Sequence, residues 1–263
     1  MDFKKKKVIV TGANRSIGQR IAIAFAEQGA DVVISYHSDS AGAEKTLKAI
    51  TKTGARARAF YADFSDMNQV PIFAEHALGY LGYVDILVNN AGISSRETIF
   101  ELLPEKMQQV FQINCISPFY LTQLCAKNMM DRENKGCIIN ISSISGTITM
   151  PKGIGYGASK AALNKWTKHA ALDLAKYGIR VNTIAPGVIE AGMNEDTATN
   201  NPELWSYLLS NIPLQRPGTP NDIAHMALFI ASEKASWCLW LMEAMFFRLL
   251  LLPSAFIVTN PLN

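Results

Sequence analysis

The chain has 263 residues, 49% apolar and 18% charged, a balance that suits one large α/β domain with a sizeable core and excludes disorder. A net charge of +3 is too small to imply a nucleic-acid partner, and Lys4 to Lys7 is a short run ahead of an apolar strand that reads as a solvated entry segment. Cys115, Cys125, Cys137 and Cys238 form no CxxC pair, and His37, His76, His169 and His225 are scattered singly. Neither a disulfide framework nor a metal site is expected, and a reducing cytoplasm is the simpler setting.

Short β-branched runs then alternate with longer helical patterns almost to the end, which predicts a parallel sheet. The first strand is Lys7–Val10; it runs straight into Thr11-Gly12, so no apolar signal-peptide core follows the N-terminal charges. A helix over 17–28 stops at Gly29, strand Asp31–Ser35 follows, and a helix over 41–53 stops at Gly54. Strands Arg58–Tyr61, Ile86–Val88 and Cys137–Ile141 come next, then a helix over 156–177 closed by Gly178 and strand Arg180–Ile184. Right-handed β-α-β crossovers give a Rossmann-type doubly wound parallel sheet in a single domain, 1–237, whose ligand crevice lies at the carboxyl ends of the strands. The apolar stretch 237–252 approaches the length of a membrane span but carries Glu243 and Arg248 and meets Pro253, so a buried or interfacial helix is expected and a membrane anchor is the minority alternative.

The chemistry-bearing residues fall at those strand ends. Thr11-Gly12-Ala13-Asn14-Arg15-Ser16-Ile17-Gly18 joins a strand to a helix: Gly12 can supply a tight turn, Gly18 a close helix-sheet approach, and the helix start unpaired N–H groups for a phosphate. Such a loop can also be an ordinary β-α turn. Tyr156 and Lys160 stand four apart on one helical face, where an ammonium would favour the phenolate and lower the tyrosine pKa from about 10. Ser143, thirteen positions before Tyr156 and just past a strand, can hydrogen-bond a substrate oxygen. Taken alone, a Tyr and a Lys at this spacing are more often a surface pair.

In combination these features resemble the short-chain dehydrogenase/reductase family. The loop is similar to its TGxxx[GS]xG pattern, with Ser16 where glycine is usual; Asn89-Asn90-Ala91-Gly92 and Phe111-Gln112-Ile113-Asn114 match two further motifs, and the order and approximate spacing agree over about residues 5–237. The resemblance implies a catalytic tetrad of Asn114, Ser143, Tyr156 and Lys160, with Asn114 holding a water that links Lys160 to solvent. It implies a nicotinamide coenzyme held by Gly12, Asn14, Arg15, Ser16, Ile17 and Gly18, Ser16 capping the helix or bonding a phosphate oxygen. Asp63 would accept from the adenine amino group, Asn90, Ala91 and Gly92 would let the ribose lie close, and Pro186, Gly187 and Ile189 would lie beside the nicotinamide, with Tyr156 and Lys160 also touching the coenzyme. Arg15 stands where NADP-preferring members carry a basic residue, and Tyr36-His37-Ser38 ends the second strand with no carboxylate to repel a 2′-phosphate, so NADP is expected, NAD remaining possible.

The expected activity is hydride transfer between nicotinamide and a carbonyl or secondary alcohol, Tyr156 acting as general acid or base. The chain resembles both the glucose 1-dehydrogenase and the 3-oxoacyl-acyl-carrier-protein reductase branches, which diverge in the polar segment 193–217, similar to a mobile lid. The partners implied are a small-molecule substrate and further copies of the chain, as a dimer or tetramer. Two departures stand out. Ala191 replaces a threonine that commonly bonds the carboxamide, and 238–263 is an apolar text unlike the family's last strand, as a frameshifted or recombined tail would be, although Ala255–Thr259 has the composition of an edge strand. These departures leave a second reading, an NADP-binding sensor or interaction protein without turnover.

Overall fold

The computed structural model describes residues 1–133, 135–192 and 197–238. The span candidate 237–252 beyond Cys238, the edge strand 255–259, most of the divergent tail and lid positions 193–196 lie outside the described residues.

Six strands form one wholly parallel sheet: β1 (Lys7–Val10), β2 (Asp31–Tyr36), β3 (Ala57–Tyr61), β4 (Ile86–Asn89), β5 (Cys137–Ile141) and β6 (Arg180–Ile184). Their order is β3-β2-β1-β4-β5-β6, so the chain reverses direction across the sheet between β1 and β4, and a crevice opens there at the carboxyl ends. Every strand predicted within the described residues is present to within one residue at either end.

Alternation along each strand sends side chains to two separate cores. Val8, Val10, Val32, Ile34, Val88 and Ile139 pack against α1 (Ser16–Glu27), α2 (Ser40–Thr51) and α9 (Pro220–Ala231). Ile9, Val33, Leu87, Ile138 and Val181 pack on the other face against α3 (Gln69–Leu81), α5 (Ser117–Asp131) and α6 (Ile154–Ala175). The three predicted glycine stops are present, with φ of +93° at Gly29, +86° at Gly54 and +72° at Gly178, left-handed values that a side chain would disfavour. The short α4 (Pro104–Phe111) runs through a π-helical turn, Gln112–Ile116, into α5, and that turn carries Asn114. In the predicted lid, α7 (Thr197–Asn200) is followed by α8 (Pro202–Ser210), which has no buried residue. No helix among the described residues is long and apolar enough to cross a membrane.

Candidate active site

A cleft of about 580 Å³ opens over the β1/β4 switch point. Its walls include every coenzyme residue expected from sequence: Gly12, Asn14, Arg15, Ser16, Ile17 and Gly18 from the first loop, Tyr36, His37 and Ser38 after β2, Asp63 after β3, Asn90, Ala91 and Gly92 after β4, and Pro186, Gly187 and Ile189 after β6. Ser143, Tyr156 and Lys160 line the same cleft, and Asn114 lies directly behind it, its carboxamide oxygen 3.1 Å from where a Gly92 Cβ would stand.

The loop is held by its neighbours more than by itself. Thr11 Oγ1 accepts from the Asn90 and Ala91 amides at 2.9 and 3.0 Å, and the Asn90 side chain donates to the Thr11 and Gly12 carbonyls at 2.9 and 3.0 Å. A Cβ at Gly18 would lie 2.6 Å from the Gly12 carbonyl, so only glycine lets α1 come this near. Ser16 does not cap α1: the helix start has no side-chain hydrogen bond and no acid in its first turn, and Ser16 itself sits at φ +53°. By contrast α2 and α9 are capped by Asp39 and Thr219. The N–H groups at the α1 start are therefore left for an anion, which is the donor chemistry a pyrophosphate needs.

At the adenosine end, Asp63 accepts from the Ser65 amide and hydroxyl at 2.9 and 2.7 Å and faces His37 Nε2 at 3.7 Å. Those bonds hold its carboxyl below the ordinary carboxylate value, the Ser65 hydroxyl contributing most. An acid missed by the sequence reading, Asp39, also lines the cleft one position beyond Ser38. Its carboxylate is occupied, accepting from the Gly42 amide at 2.7 Å and from Asn14 at 3.3 Å. Asp before a helical run is an N-cap signal, and that signal was available. The apolar wall residues Phe64, Ile93 and Ile113 carried no comparable mark in sequence.

At the reacting end, Tyr156 is half-buried and hydrogen-bonded to Ser143, and the Ser143 Oγ accepts from the Ser145 amide at 3.1 Å. Lys160 is buried, donates to the Ile141 carbonyl at 2.8 Å, and lies 5.8 Å from the centre of the Tyr156 ring. Burial brings its ammonium down to about 8. Burial also pushes the Tyr156 phenol above its ordinary value, with the Ser143 hydroxyl pulling the other way, so the expected lowering by Lys160 is not found. The physical reason is that desolvation of the phenolate outweighs the Ser143 hydrogen bond, while the Lys160 ammonium is directed at the Ile141 carbonyl. The Asn114 side chain is held at both ends of its amide. Its amide oxygen accepts from Ile93 N at 2.8 Å, while its nitrogen donates to Ile93 O at 3.0 Å and to Ser159 Oγ at 3.1 Å, so both N–H groups are committed to protein. Ala191 lines the cleft as predicted, beside Gly192, whose Cβ position is 2.9 Å from Ser16 Oγ.

Residues 12–239 match the family described as enoyl-(acyl carrier protein) reductase. The chain belongs to the short-chain dehydrogenase/reductase family. This family member is 37% identical over 233 residues to L-rhamnose 1-dehydrogenase (NADP(+)) of Thermoplasma acidophilum, covering 89% of this chain and 91% of the relative. It is 35% identical to glucose 1-dehydrogenase 2 of Bacillus subtilis over 90% of this chain and 91% of that one. Among solved structures, 7α-hydroxysteroid dehydrogenase complexed with NADH and 7-oxo glycochenodeoxycholic acid superposes with a TM-score of 0.86 at 34% identity, over 92% of this chain and 93% of that one. This short-chain dehydrogenase/reductase is accordingly an oxidoreductase of a family that binds nicotinamide coenzymes.

Proposed function

We propose that the enzyme reduces a carbonyl compound with NADPH, or oxidises the corresponding secondary alcohol with NADP. The bound coenzyme supplies or takes the hydride. Tyr156 gives its phenolic proton to the substrate oxygen during reduction, and Ser143 donates a hydrogen bond that orients that oxygen. Lys160, 5.8 Å from the centre of the Tyr156 ring, acts on the phenolate left behind once the proton has moved, too weakly to lower the resting phenol against burial. Asn114 holds Ile93 and Ser159 around the reacting groups. The single observation carrying this reading is the Ser143–Tyr156 hydrogen bond facing the same cleft as the uncapped α1 N-terminus.

In this reading Gly12, Asn14, Ser16, Ile17 and Gly18 receive the pyrophosphate and Asp63 the adenine. Asn90, Ala91 and Gly92 lie by the ribose, and Pro186, Gly187 and Ile189 by the nicotinamide. Arg15, Tyr36, His37 and Ser38 take the 2′-phosphate. NADP is favoured because Arg15, Tyr36, His37 and Ser38 line the adenosine end of the cleft, although the hydrogen-bonded Asp39 and Asp63 there keep their negative charge. NADP(+) in the name of the rhamnose relative points the same way, while the NADH complex of the hydroxysteroid enzyme keeps NAD as the second coenzyme to try. The substrate class is a sugar or an acyl thioester carrying the carbonyl, or its alcohol. We place the enzyme in the cytoplasm as a homodimer or homotetramer, with no nucleic-acid or membrane partner.

The test follows absorbance of NADPH and of NADH against sugars, acyl thioesters, ketones and steroids. Turnover with at least one class, faster with NADPH, is expected, and Tyr156→Phe should lower kcat about 100- to 10,000-fold. A Tyr156→Phe variant turning over at the wild-type rate sinks the mechanism.

A further inference from the structure

Beneath the reacting groups runs a chain of buried polar side chains that the proposed reaction does not use. Asn89 and Asn140 are register partners on β4 and β5, and both are buried. The Asn89 amide donates to Asn140 Oδ1 at 2.8 Å and to Thr122 Oγ1 of α5 at 3.0 Å. The Asn140 amide donates in turn to Thr167 Oγ1 of α6 at 2.8 Å, and Thr167 passes its own hydrogen to the Leu163 carbonyl at 2.7 Å. Amides and hydroxyls are costly to bury and are worth burying only when paired, whereas apolar side chains would fill the same space more simply. Their presence between sheet and helix therefore calls for a geometric reason.

The place of the chain supplies one. Asn140 immediately precedes Ile141, whose carbonyl accepts from the Lys160 ammonium, and Ser143 is three residues further on. Thr167 lies seven residues past Lys160 on α6, about two helical turns. Strand and helix are thus tied twice, once at the cleft floor and once below it. Apolar packing alone tolerates a small slide or rotation of a helix over a sheet, and a directional hydrogen bond does not.

We propose that the Asn140–Thr167 hydrogen bond holds α6 in register on β5, so that Tyr156 and Lys160 meet Ser143 and the Ile141 carbonyl. Asn140 and Thr167 are positioning residues in this account, which rests on the reading of Tyr156 as proton donor. The Asn89–Thr122 arm reaches α5 only, and so provides an internal control.

Thr167→Val removes the hydroxyl while keeping the branched shape, and Thr122→Val does the same on α5. Each is measured in the full chain with the best substrate of the panel, for kcat, KM for NADPH, the pH profile of kcat and the melting midpoint. Both variants should melt lower. Thr167→Val alone should lose kcat by about five- to twentyfold with KM for NADPH within about twofold, move the alkaline limb of the profile, and be rescued by Thr167→Ser. Where Thr167→Val does not fold, Thr167→Ala carries the same comparison. An unchanged kcat and pH profile, an equal kcat loss in Thr122→Val, or failure of the serine rescue overturns the proposal. Tyr156→Phe run alongside separates the two ideas: wild-type turnover there removes both, whereas an inactive Tyr156→Phe beside a fully active Thr167→Val removes only this one.

Discussion

Lys160 shows how burial, more than pairing, governs the reacting end. With its ammonium brought down from 10.5 to about 8, the unfolded chain binds more protons than the folded one between those values. The cost of burying the charged form is therefore full below about pH 8 and is relieved as pH rises towards 10.5. Urea unfolding should show the wild type gaining stability relative to Lys160→Met from pH 8 to pH 10; a constant difference across that window disproves the assignment. Ser16 carries a different cost. At φ +53° an L-residue is disfavoured, so Ser16→Gly should raise the melting midpoint by roughly 2 °C, and an unchanged or lower midpoint would show that the strain is absent. The glycine-rich loop was legible from its residues, whereas Tyr156, Lys160 and Ser143 were singled out as a reacting set by the family resemblance, since the Tyr-Lys spacing alone fits a surface pair. The direction of the Tyr156 shift was not legible, since desolvation is set by what closes over a group.

Among the elements, α9 supports the coenzyme loop indirectly by packing on α1, with Arg20 of α1 hydrogen-bonded to Asn221 of α9. Its N-terminus is a capping box, Thr219 and Asp222 satisfying each other's backbone, and Arg216 donates to Asp222 at 3.0 Å. The Arg216 hydrogen bond is the largest cause that holds Asp222 down to about 2. The stability it contributes is present above the ordinary value of 3.8 and is lost as pH falls through about 2. With 43% of the side chain exposed, solvent screens the ion pair, and the cap dominates. Asp222→Ala should cost about 1 kcal/mol at pH 7 in urea unfolding, and the gap to wild type should narrow between pH 5 and pH 2.5. A gap that widens on acidification contradicts this account. Strand positions and glycine stops were readable from periodicity and backbone demand, whereas the π-helical turn at Asn114 leaves no periodic trace.

At the scale of the molecule, the strand order opens the crevice and gathers the carboxyl-end loops of all six strands onto it. Large apolar side chains nevertheless remain at the surface, among them Phe100 at 97% exposure, Leu172 at 74% and Ile99 at 66%. The proposed homo-oligomer gives such surface a partner. Light scattering on the eluting peak of a sizing column should return twice or four times 28.9 kDa, and a peak at the single-chain mass rejects assembly.

Sequence by itself determined the parallel sheet, its strand boundaries and the loop that opens α1, because each follows from local period or local turn demand, whereas Asn114, Ser143, Tyr156 and Lys160 were named as a set only through the family resemblance. Tertiary structure alone decided the commitment of the Asn114 amide, the upward Tyr156 shift, the occupied Asp39 and the polar tie between β5 and α6. Those depend on contacts between residues far apart in the chain, where burial and the choice of hydrogen-bond partner are settled only by packing.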